Sequence, residues 1–136
     1  MRGLGRRKAD KWMQRHQKTK MNYDIRLFDN RMFFLSFTMQ APADIITKLA
    51  KWMAKRKGAD AFTMKEFSVD ERLHSKVLKG FRKAIDEVRK KTAKDIPGFD
   101  ILTLSVDDFK YVENGEGKYD VKLKLSGNYV VKETLE

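Results

Sequence analysis

The run from Val69 to Lys91 constrains the fold more than any other stretch, because it carries two helical stripes at once. With about 100° of rotation per residue, Val69, Leu73, Gly80, Phe81, Ala84, Ile85 and Val88 fall within about 80° of Val77. Arg72, Lys76, Lys79, Lys83 and Lys90 gather on one narrow flanking arc. One long helix is expected, with an apolar side that must be covered and a basic side of its own, stopped before Pro97-Gly98. Gly80 on the apolar side costs about 1 kcal/mol relative to Ala in a helix interior, which predicts close approach by another helix there.

Two capping boxes precede this run, Thr63 with Glu66 and Ser68 with Glu71, and they predict a short helix, a turn and then the long helix. The same segment also reads as a short strand over Ala61 to Phe67, since Phe62 and Met64 alternate with Thr63 and Lys65. Further upstream, Pro42 and Asp44 open a helix that Lys55, Arg56, Lys57 and Gly58 close. Ile45, Ile46, Leu49, Trp52 and Met53 form its apolar face. Lys48, Lys51 and Lys55 fall on its flank and read as a solvated face. Tyr23, Ile25 and Leu27, then Phe33, Leu35, Phe37 and Met39, alternate on either side of Asp29-Asn30 and predict a β-hairpin. At the other end, ILTLSVDDFKYV and KYDVKLKLSG alternate around ENGEG, a second hairpin in which Asp107-Asp108 mark a bulge or break.

Composition matches this mixed pattern. The chain has 136 residues, 41% hydrophobic and 36% charged, which suits one domain with a core. It contains no cysteine, so disulfides and thiolate metal sites are excluded, and no apolar run approaches a membrane span. No secretory signal pattern is present, and a cytoplasmic location is expected. The net charge of +11 is uneven: Arg2, Arg6, Arg7, Lys8, Lys11, Arg15, Lys18 and Lys20 face the single Asp10 in the first 20 residues, whereas the last third is slightly acidic. Such a gradient points to a polyanionic partner, nucleic acid ahead of an anionic membrane. Residues 1 to 20 are expected to form a basic flexible arm, and residues 21 to 136 a single α+β domain.

The order helix, short helix, long helix, hairpin is that of a winged helix, in which the third element enters the DNA major groove. The run FTMKEF, followed by VLKGFRKAIDEVRKKT and ILTLSVDDFKYVENGEGKYDVKLKLSG, resembles the winged-helix domain of plasmid replication initiator proteins over about residues 43 to 127, carried mostly by Val77, Leu78, Ala84, Ile85, Val88 and Thr92. The resemblance implies that the long helix reads DNA, with Arg72, Ser75, Lys76 and Lys79 as contacts. The charge pattern by itself adds Lys83 and Lys90 as phosphate contacts, and Arg6, Arg7, Lys8, Lys11 and Arg15 as sequence-independent contacts of the arm. The expected fold is α+β and winged-helix-like, with an added N-terminal β-hairpin and the basic arm.

No nucleophile, base and metal ligands converge in the sequence, and no P-loop, dinucleotide fingerprint or nucleophile elbow is present. His16 lies in the arm, and His74 sits at the edge of the apolar stripe as an expected partly buried, hydrogen-bonded histidine. The chain is therefore expected to be no enzyme, to hold no metal or cofactor, and to bind nucleic acid, double-stranded DNA first. A small protein-binding module, such as a phage-type inhibitor or structural subunit, and an RNA-binding accessory protein fit the same charge. A homodimer or a protein partner stays open, and the terminal Leu135-Glu136 is compatible with a cloning remnant on an excised domain.

Overall fold

In the computed structural model, which describes residues 12–18, 21–115 and 117–133, the elements in chain order are strands β1 (Trp12–Lys18), β2 (Met21–Leu27) and β3 (Met32–Pro42), helix α1 (Ala43–Arg56), strand β4 (Phe62–Thr63), helices α2 (Met64–Leu73) and α3 (Ser75–Asp95), and strands β5 (Phe99–Glu113) and β6 (Lys118–Val131). The fold is α+β. Its strands form one antiparallel sheet in the order β1-β2-β3-β6-β5-β4.

Period-two alternation decides which face of that sheet is covered. Tyr23, Ile25 and Leu27 on β2, Phe33, Leu35 and Phe37 on β3, and Val121, Leu123 and Leu125 on β6 are all buried, whereas Phe34, Thr38, Lys122 and Lys124 between them are exposed. The β2–β3 turn follows the sequence expectation, although the positive φ of 67° falls on Arg31 and not on Asp29 or Asn30. The Asn30 side chain instead accepts the Met32 N–H at 3.2 Å. On β5, the register shift between Ile101 and Thr103 carries the buried series from Phe99 and Ile101 to Leu104 and Val106, and a second shift falls between Val106 and Asp108. Asp107-Asp108 thus lies at a bulge, as its residue types suggested.

α1 buries Ile46, Leu49, Trp52 and Met53 and ends where Gly58 takes a φ of 78°. Trp52 meets Phe62, Phe67 and Phe81 with ring centroids 5.8, 5.9 and 6.0 Å away, so β4 and all three helices share one aromatic cluster.

Several expectations are corrected. Both readings of Ala61 to Phe67 hold in part: Phe62–Thr63 pair with Leu104 and Thr103, and the helix begins directly after them. The Thr63 capping box is complete, with Glu66 N–H donating to Thr63 Oγ1 at 3.1 Å and Thr63 N–H to Glu66 Oε1 at 2.8 Å. The second box starts no helix, because Ser68 is already inside α2 and its hydroxyl donates to the Met64 carbonyl at 3.0 Å. The break falls instead at His74, so the expected helix from Val69 to Lys91 is two helices. Val69 and Leu73 belong to α2 and stand 48% and 72% exposed. Gly80 faces solvent, and an added Cβ would meet nothing within 4 Å, so no helix approaches it.

The expected arm also changes, since Trp12–Lys18 forms β1, in register from Trp12↔Leu27 to Lys18↔Met21. The open edge of β2 supplies the unpaired backbone groups that such a segment can satisfy. The expected contacts Arg6, Arg7, Lys8 and Lys11 lie outside the described residues, as does the side chain of Arg15. Finally, the β5–β6 hairpin is no isolated ribbon: β6 pairs along its length with β3, from Met32↔Asn128 to Pro42↔Lys118, which puts both of its strands within the sheet.

Candidate nucleic-acid interface

The basic residues of the helical layer divide into those spent on the fold and those left for solvent. Arg82 donates to Glu71 at 2.9 Å and to the Ser68 hydroxyl, tying α3 to α2. Arg89 reaches Asp100 at 2.8 Å and Asp86 at 3.1 Å, tying α3 to β5. Both arginines are partly buried and hold packing geometry. Lys76, Lys79, Lys83 and Lys90 stand on a neighbouring, outward arc of α3, exposed, and make no ion pair among the described residues. The arc read from the sequence is real for these four. Arg72 is separated from them, because it sits in the last turn of α2 beyond the His74 break, and Ser75 is the first residue of α3.

α1 turns Lys48, Lys51 and Lys55 outward beside Trp52, and these side chains line one cleft of about 220 Å³ with His74 and Val77 from the start of α3. From the start of α3 only His74 and Val77 reach this lining; Lys76 and Lys79 lie about 100° and 160° around the helix from Val77, outside the cleft. No side chain caps the first turn of α3, so its partial positive charge adds to the basic rim. His74 is exposed, which corrects the partly buried histidine expected there; the helix break carries it out of the apolar stripe.

Trp52 forms the floor, and its position is fixed. Its indole N–H donates to Asp70 Oδ2 at 3.0 Å, and Arg56 donates to the same oxygen at 2.6 Å. Burial pushes the Asp70 carboxyl up, but the hydrogen bonds from Arg56 and Trp52 and the charges of Arg56 and His74 outweigh it and hold the group below its ordinary value. The Asp70 carboxylate that holds the floor is therefore paired with Arg56, and the lining itself contains no acid. Chemically the site offers several ammonium groups with no ion-pair partner among the described residues around an apolar floor, an arrangement suited to a run of phosphates.

Sequence reasoning saw Lys48, Lys51 and Lys55 but gave them no role, since nothing local says that α1 and α3 lie side by side. The contact of Trp52 with Phe81 is what brings them together. Among the described residues no three His, Asp or Glu side chains gather as a metal site would require. No helix of the described residues is long and apolar enough to cross a membrane. Comparison with family models, with curated proteins and with solved structures finds no match to this chain.

Proposed function

We propose that this chain is a non-catalytic nucleic-acid-binding protein that holds double-stranded DNA against its helical layer, in a replication-initiator-like or regulatory role in the cytoplasm. The observation that supports the reading most is the cleft in which Lys48, Lys51 and Lys55 gather against the first turn of α3 with no acid in the lining, on a helical layer whose α3 also exposes Lys76, Lys79, Lys83 and Lys90. Each neutralised phosphate releases counterions, and α3, anchored through Arg82 and Arg89, holds its lysines in one orientation.

The winged-helix-like docking expected from the chain order belongs to the same reading. α3 takes the place of the groove-entering helix, Ser75, Lys76 and Lys79 lie nearest the bases, and Lys83 and Lys90 follow the backbone. Only the end of the β5–β6 hairpin beyond Pro42 is free to act as a wing, since the rest is held by β3.

A protein-binding role draws on a different surface, the exposed Val69 and Leu73 on neighbouring turns of α2. A mobility shift with duplex DNA, single-stranded DNA and RNA over a salt series separates the readings. Duplex binding whose log affinity falls linearly with log salt is expected, with no cleaved product in Mg²⁺ or Mn²⁺. Absence of binding to all three at low salt would leave the protein-binding role.

A further inference from the structure

The side of α1 turned away from Trp52 is smooth, with Thr47, Ala50 and Ala54 on one strip, and it faces the distal half of β5 across a cleft of about 570 Å³. Among the described residues no strand lies outside β5 beyond Val106, because β4 reaches only Thr103 and Leu104, and none closes the cleft that Phe109 and Tyr111 line. Tyr111 stands 45% exposed, while its ring is held by Phe109 at 5.6 Å and Tyr119 at 5.8 Å. Its ring is thus a fixed aromatic face with room in front of it.

The charge around the cleft bears on what it can hold. The lining carries lysines and no acid. Lys57 and Lys110 are shared with Asp108, at 3.2 and 3.7 Å, whereas Lys51 makes no ion pair among the described residues. Lys51 lines this cleft and the Trp52 cleft alike, and Tyr111 lines the same cleft as Lys51. Basic groups beside a fixed aromatic ring are the parts of a platform for unpaired bases, which stack on any π-face without regard to sequence.

Resting on the interface reading above, we infer that the cleft between α1 and distal β5 holds unpaired bases of the bound nucleic acid, with Tyr111 as the stacking residue and Lys51 as the cation between the duplex and the single strand. The ligand is then a duplex with a single-stranded extension, not a continuous duplex alone.

The test compares a blunt duplex with the same duplex bearing a short thymidine tail at fixed salt, using the full chain. Wild type is expected to bind the tailed duplex about five- to 150-fold more tightly, the range that stacking of one base supplies. Tyr111→Ala should lose that preference while binding blunt duplex as wild type does, and Tyr111→Phe should keep it. Thermal melting shows whether Tyr111→Ala stays folded; if it does not, ultraviolet crosslinking of an iodouracil-bearing tail to Tyr111 in the wild-type protein decides, and a crosslink elsewhere overturns the assignment. Equal affinity of wild type for blunt and tailed duplex, or an unchanged preference in Tyr111→Ala, overturns it too. The Lys48→Ala/Lys55→Ala variant separates this from the interface reading: undiminished blunt-duplex binding counts against that reading, whereas the tail preference reports on the cleft between α1 and distal β5.

Discussion

Arg56 donates to Asp70 at 2.6 Å, and through this pair the last turn of α1 is fastened to α2. The same carboxylate oxygen accepts the Trp52 indole N–H, so one acid fixes both the floor of the basic cleft and the angle between two helices. Asp70→Asn should cost about 1–3 kcal/mol, because the charge that satisfies a partly buried guanidinium is lost. Urea denaturation of the two proteins measures it.

The same carboxylate predicts a pH dependence. Asp70 and Asp100 are each pushed up by burial and pulled further down by hydrogen bonds, from Arg56 and Trp52 in one case and from Arg89 and Lys132 in the other. A carboxyl whose folded pKa lies below its unfolded one, about 3.9, stabilises fully above that value and loses the contribution as pH falls through the folded pKa. Melting temperature should be flat from neutral pH to about pH 5 and fall below about pH 4. In Asp70→Asn or Asp100→Asn that fall should be shallower, and an identical acid limb in wild type and both variants would show that these groups do not carry it.

Gly80→Ala should stabilise the protein by about 1 kcal/mol, the difference in helix propensity, since the new methyl group points into open solvent. The expected reading is a higher midpoint in urea with an unchanged slope. Loss of stability would mean that the face is covered.

Gly127 gives the opposite expectation. It lies opposite Phe33 and Leu104 in the sheet, and a Cβ there would overlap the Thr103 carbonyl beside the first bulge of β5. Gly127→Ala should destabilise by about 1–3 kcal/mol or more, as overpacking against backbone does. Thermal melting of the two glycine variants side by side tests both signs.

The contrast between these glycines shows which parts of the structure were legible in the sequence. α1 was readable because Pro42, Gly58 and an unbroken apolar period agree on its limits. The Thr63–Glu66 box was readable as a helix start, whereas Ser68–Glu71 has the same spelling and a different role, since Glu71 is engaged by Arg82 from the next helix. Gly80 looked buried only because Val69 and Leu73 were placed on its helix, and the His74 break removes them. The pairing of β3 with β6 joins segments at opposite ends of the chain, and no local pattern specifies it. For the site, Lys76, Lys79, Lys83 and Lys90 followed from periodicity. The role of Lys48, Lys51 and Lys55 did not, because it depends on Trp52 meeting Phe81.

The two lysine stripes acting on one ligand is the claim most open to direct measurement, through the salt dependence of duplex binding by wild type, Lys48→Ala/Lys55→Ala, Lys76→Ala/Lys79→Ala and the quadruple variant. These side chains are exposed and make no ion pair among the described residues, so melting temperatures should stay close to wild type. If all four meet phosphates of the same duplex, each double variant should flatten the plot of log affinity against log salt by about 1.8, and the quadruple variant by about 3.6. A quadruple variant that binds duplex with wild-type affinity and wild-type slope would contradict the account.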